Sequence, residues 1–99
     1  MSRDALKKIR EKTGRIPFLP GVYFFKDTRG RVVYVGKAAK LRNRVRSYLQ
    51  DREGLDPKTR ALMASADTVD YIVTGSEVEA LVLEASLVRE YRPRYNIRL

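Results

Sequence analysis

Ninety-nine residues suit one small domain and leave no room for a second core, since domains usually run to about 100–200 residues. With no Cys and no His, disulfides, thiolate or imidazole metal sites and thiol nucleophiles are excluded, so any chemistry runs on Tyr, Lys, Arg, Asp, Glu, Ser, Thr or Asn. The net charge of +9, with 14 Arg and 7 Lys against 12 acids, points to a polyanion, and the Arg excess suits phosphate because a guanidinium binds it bidentately.

Ser2 caps a first helix over 3–12 that stops at Thr13-Gly14. Arg15 to Gly21 is a loop, with Pro17, Pro20 and Gly21. Gly21–Lys26 and Val32–Gly36 are β-branched and aromatic and read as strands. Asp27-Thr28-Arg29-Gly30 between them is a type I turn sequence, Asp first and Gly last. Such a tight connection makes the strands antiparallel. Lys40–Gln50 is helical, with Leu41, Val45, Tyr48 and Leu49 on one face. Asp56 and Pro57 supply the N-cap and first position of a helix to about Ala66. Val69–Thr74 is a third strand, and Ser76 with Glu79 forms a capping box for a long helix ending near Tyr91. Pro93 stops it, and Tyr95–Leu99 reads as an extended tail. The expected fold is α/β: a small, mostly antiparallel three-stranded sheet surrounded by helices in one domain. No apolar run approaches the ~18 residues of a membrane span. The charged first twelve residues do not form a secretory signal, so the cytoplasm is the expected compartment.

The charge is uneven. No acid lies between Asp27 and Asp51, a stretch holding Arg29, Arg31, Lys37, Lys40, Arg42, Arg44 and Arg46. A hairpin symmetric about Thr28-Arg29 places Tyr23 opposite Tyr34, two phenols side by side on one face. On the following helix Arg44 and Tyr48 are i, i+4 neighbours at the edge of the apolar face. Lys40, Arg42 and Arg46 are then left to solvent or phosphate. In the last helix, Glu84 is the only charge between Ala80 and Val88 and sits about 40° from Val88 on the helical wheel. A carboxylate on such a face needs a partner: an arginine in an ion pair, or a metal ion. Asn96, after the Pro93 turn, can return as a hydrogen-bond donor.

Gly21-Val22-Tyr23, with Tyr34-Val35-Gly36 eleven residues after that tyrosine, resembles the paired motif of the GIY-YIG nucleases, with Val for Ile in each half. GKAAKLRNRVRSYL and LEASLVREYRPRYNIRL extend the resemblance over residues 18–98. They make it strongest toward the N-terminal nuclease domain of the incision subunit of bacterial nucleotide excision repair. The resemblance implies a catalytic set of Tyr23, Tyr34, Lys37, Arg44, Tyr48 and Asn96. It also implies one divalent cation, Mg²⁺ or Mn²⁺, on Glu84. A tyrosine would assist the attacking water while Arg44 and Lys37 balance charge on the phosphate. Tyr23 and Tyr34 are both candidates for general base. Clustered Lys and Arg are expected to lower the phenol pKa from its usual value near 10. One carboxylate argues for a one-metal mechanism, with water and phosphate completing the shell. The substrate implied is double-stranded damaged DNA, cut on the 3′ side of the lesion. The partner implied is the damage-loading subunit, and the chain would be an N-terminal fragment of a longer protein. The rivals are a homing-type nuclease from mobile DNA and a non-catalytic nucleic-acid-binding module of the same fold. Glu84 separates enzyme from binder, because a carboxylate beside phosphate repels it.

Overall fold

A computed structural model of the chain describes residues 1–50 and 55–96. The elements follow in the order α1 (Arg3–Thr13), β1 (Gly21–Lys26), β2 (Val32–Ala38), α2 (Leu41–Leu49), α3 (Pro57–Ser65), β3 (Thr68–Val73) and α4 (Glu77–Tyr91). The strands form one antiparallel sheet in the order β2-β1-β3. β1 is central and covered on both faces, so GVYFFK carries no polar alternation. Tyr23 and Phe25 face α1, α2 and α3, in a core with Ile9, Leu41, Val45, Tyr48 and Leu62. Val22 and Phe24 face α4, against Ala80, Leu83, Leu87 and Val88.

The local signals act as read. The Ser2 hydroxyl accepts from the Ala5 amide at 3.0 Å, the Asp56 carboxylate from Thr59 at 2.8 Å and the Ser76 hydroxyl from Glu79 at 3.1 Å. Arg92 closes α4 in the left-handed region, at φ 44°, before Pro93. No helix among the described residues is long and apolar enough to cross a membrane.

Two expectations are corrected. The hairpin is not symmetric about Thr28-Arg29: Tyr23 pairs with Gly36, and Tyr34 with Phe25. Gly30, at φ 77°, follows the type I turn in the left-handed region, and the Asp27 amide donates to the Arg31 carbonyl at 2.9 Å. This adds one residue to the connection, and a register irregularity between Phe25 and Lys26 adds another. A shift of two keeps every side chain on its face. Tyr23 and Tyr34 therefore remain neighbours, diagonal rather than opposite. The tail is also not extended through Asn96. Residues 94–96 turn, with the Asn96 amide donating to the Pro93 carbonyl at 3.0 Å, because the chain must fold back after Pro93 to reach the outer edge of β2. Residues 97–99 lie outside the described residues.

Candidate active site

Three phenols and one guanidinium meet on the α2 side of the sheet. The hydroxyls of Tyr23 and Tyr48 are hydrogen-bonded at 2.7 Å. Arg44 Nε donates to the Tyr23 hydroxyl and Nη2 to the Tyr48 hydroxyl, both at 3.2 Å. The i, i+4 spacing on α2 lets Arg44 lie 4.9 Å over the Tyr48 ring while reaching across to β1. The Tyr34 ring lies 6.2 Å from that of Tyr23. Tyr23 is only 1% exposed, whereas Tyr34 is half-buried and lines a hollow of about 220 Å³ with Arg44, Tyr48, Asp56, Lys58, Thr59 and Leu62. Tyr34 is thus the phenol of the β1–β2 pair that opens outward.

The glycine in the second motif has a steric reason. A Cβ on Gly36 would run into Cζ and the hydroxyl of Tyr23, its cross-strand partner. We expect Gly36→Ala to push Tyr23 off Tyr48 and Arg44 and to cost about 1–3 kcal/mol, as overpacking does. Urea denaturation measures this, and an unchanged midpoint would show that Tyr23 has room to move.

The phenol pKa values move against expectation. Burial is the largest influence on Tyr34 and pushes it up to about 12, and repulsion from Tyr48 adds to this. Burial also raises Tyr23 and Tyr48. Arg44 pulls all three down, but one half-exposed guanidinium does not offset the loss of water around the phenolates and the repulsion between them. All three phenols are therefore neutral at rest. The folded protein keeps protons that the unfolded chain releases above pH 10. Stability contributed by Tyr34 is then fully present below pH 10 and is lost as pH rises through about 12. Melting temperature should fall with alkaline pH, and Tyr34→Phe should make that fall shallower. An equal slope in both proteins would show that Tyr34 titrates normally.

The other expected residues lie apart from the phenols. Asn96 spends its side-chain amide on β2: its oxygen accepts from the Val35 amide and its nitrogen donates to the Val35 carbonyl, both at 2.8 Å. With the Tyr95 amide donating to the Val33 carbonyl at 3.0 Å, the end of the chain locks the outer edge of β2 beside Tyr34. Glu84 is on α4, which packs against the opposite sheet face. It is half-buried, and among the described residues no ion pair involves it. Glu77 and Leu81, seven and three residues before it and therefore on the same helical flank, line a hollow with Lys37, Ala38 and Ala39. Glu84 thus lies on the flank of α4 turned toward Lys37. Lys37 also lines the adjoining groove with Lys40 and Arg44, so it stands between Glu84's helix and the arginine. Lys40 and Arg46 are exposed. Arg42 is anchored, with Nε donating to the Ile16 carbonyl and the guanidinium 4.3 Å over the Phe18 ring.

Lys58 was not among the expected site residues. Its ammonium lies 5.7 Å from the centre of the Tyr34 ring, on the wall of the hollow. It stands outside the acid-free basic stretch, and no local pattern shows that α3 packs beside Tyr34.

This arrangement, a hairpin with crossed Tyr and Gly motifs and an arginine delivered from the next helix, defines a small α/β domain of the GIY-YIG class. The sequence model of the UvrC-like GIY-YIG domain matches residues 19–97. The chain is 56% identical over 89 residues to UvrABC system protein C of Carboxydothermus hydrogenoformans, covering 90% of this chain and 15% of that protein. It is 48% identical over 99 residues to the Bdellovibrio bacteriovorus protein of the same name, covering 100% of this chain and 16% of the relative. The chain thus spans about one-sixth of the length of these relatives. Among solved structures it is similar to the GIY-YIG N-terminal endonuclease domain of UvrC from Thermotoga maritima, bound to its catalytic divalent cation, magnesium. The TM-score is 0.81 at 40% identity, covering 98% of this chain and 100% of that one. A variant of the same domain with an asparagine replaced by alanine, also bound to its cation, gives a TM-score of 0.81 at 40% identity over 99% of this chain and 100% of that one. The chain belongs to the UvrC-like GIY-YIG domains, an endonuclease class.

Proposed function

We propose that this domain is the N-terminal nuclease unit of a longer repair protein. It hydrolyses one phosphodiester with a single divalent cation, on the 3′ side of a lesion in double-stranded DNA. The observation that carries the reading is Arg44, hydrogen-bonded to two phenols at the mouth of a hollow that Tyr34 lines. A guanidinium held in place before substrate arrives is the arrangement that stabilises charge developing on a phosphoryl group.

Glu84 would hold the cation. It fits: it is a hard oxygen donor, half-exposed and outside any ion pair among the described residues. No cluster of three or more acidic residues occurs among the described residues, which suits a metal kept mostly by water and phosphate. Bound there, Mg²⁺ or Mn²⁺ would supply Lewis acidity and acidify a water. The chain's own residues do the rest. Arg44 neutralises the phosphate with help from Lys37. Tyr23 and Tyr48 hold Arg44 in place. Tyr34, the outward phenol, orients the attacking water; to act as its base it would first give its own proton to solvent, a loss that Arg44, Lys58 and the bound cation favour, and the phenolate oxygen would then take the proton of the water. Asn96 positions β2 and so Tyr34, rather than touching substrate. Lys40, Arg42 and Arg46 hold flanking phosphates, which agrees with the +9 charge.

In the full-length protein the damage-loading subunit, UvrB, would present the DNA, and the compartment would be the cytoplasm. The test is incision of a lesion-bearing duplex by the full-length protein with UvrB, in magnesium, in manganese and in chelator. Cutting is expected only with metal. Binding without cutting in either metal would leave a nucleic-acid-binding module. For the surface residues, Arg46→Ala is expected to lower the slope of log affinity against log salt by about one. An unchanged slope would remove Arg46 from the DNA surface.

A further inference from the structure

A larger hollow, of about 510 Å³, lies at the start of β2 beside the hairpin turn, lined by Arg31, Arg92, Arg94, Tyr91, Asp27 and Ser65 among others. Its arginines come from two distant parts of the chain, the hairpin turn and the end of α4. Asp27 is the only acid on its wall. That carboxylate is engaged, accepting from the Arg29 and Arg31 amides and from Arg31 Nε at 3.1 Å. Asp27 therefore neutralises Arg31, and the charge of Arg92 and Arg94 is left facing the hollow.

Arg92 stands where stability alone favours another residue. Its backbone is left-handed, at φ 44° and ψ 57°, and it is the one non-glycine residue with positive φ among the described residues. Glycine fills such helix ends without the Cβ clash. A strained cap that carries a cation into a basic hollow is better explained by a ligand than by folding. Tyr91 beside it is 52% exposed, an aromatic face open to a sugar or base.

The hollow adjoins the active site. Ser65 on its wall is three residues along α3 from Leu62, which lines the Tyr34 hollow, so the two walls are about 4.5 Å apart along the helix axis. On β2, Val33 lines the larger hollow directly before Tyr34. Resting on the nuclease reading above, we infer that the Arg92–Arg94 hollow is a second backbone-binding point for the DNA. It takes phosphates of the substrate strand next to the one held at Tyr34 and Arg44.

The experiment measures duplex DNA affinity against salt for the protein, for Arg92→Gly, for Arg94→Gln and for the double variant, with melting temperature for each. Arg92→Gly is expected to bind DNA several-fold more weakly while its melting temperature holds or rises, because glycine accepts the left-handed cap. Arg94→Gln leaves the cap untouched and tests the same site independently. The double variant should lower the salt slope by about two. Slopes equal to that of the parent in both single variants would overturn the inference and leave the nuclease reading intact, provided the parent still cuts in magnesium. A parent protein that neither binds nor cuts duplex DNA would overturn both together.

Discussion

Glu84→Gln is expected to lower incision by roughly 10³-fold or more, because the variant removes the one negative ligand from a cation that supplies several kcal/mol of transition-state stabilisation. Folding should be unaffected. Glu84 is half-buried, and no ion pair holds it among the described residues, so the near-isosteric amide leaves no buried cation behind. DNA affinity should hold or rise, since a negative charge near phosphate has gone. An ion-paired Glu84 predicts a different set of results: a lower melting temperature with normal cutting per folded molecule. Melting temperature, manganese affinity and incision rate measured on the one variant separate the two. Normal cutting with unchanged metal affinity would remove Glu84 from the metal site.

Arg44→Ala is expected to cost about 10²–10³-fold in cutting, the usual loss when a preorganised charge-stabilising group is deleted. Its effect on stability should be smaller. Two 3.2 Å hydrogen bonds disappear, but Tyr23 and Tyr48 keep their own at 2.7 Å, which suggests a loss of about 1–2 kcal/mol. A third readout is specific to this site. Arg44 pulls the phenols down, so without it Tyr34 should titrate above its value of about 12, visible in ultraviolet difference absorbance. Arg44→Lys should recover little, because a point ammonium cannot bridge two hydroxyls as a planar fork does. Full cutting in Arg44→Ala would show that phosphate charge is met elsewhere, with Lys37 and Lys58 the next candidates.

The sequence by itself determined the seven elements, their order and the caps that start α1, α3 and α4, because caps, turns and side-chain periodicity act between neighbours in the chain. It also determined the class, through the Tyr23 and Tyr34 motifs and the Arg44–Tyr48 spacing. Only the tertiary structure decided what these groups face. The hairpin register rests on a left-handed Gly30 and an irregularity at Phe25/Lys26, which single residues do not announce, and the even shift preserved the phenol pair. Asn96 was readable as a returning donor, but its partner, the Val35 backbone, is 61 positions away. The phenol pKa values ran opposite to the charge count, because charge can be counted along a sequence whereas burial sums contributions from strands and helices that meet only in the fold. For the same reason Lys58 beside Tyr34, and Glu84 across the sheet from it, became visible only once α3 and α4 were packed.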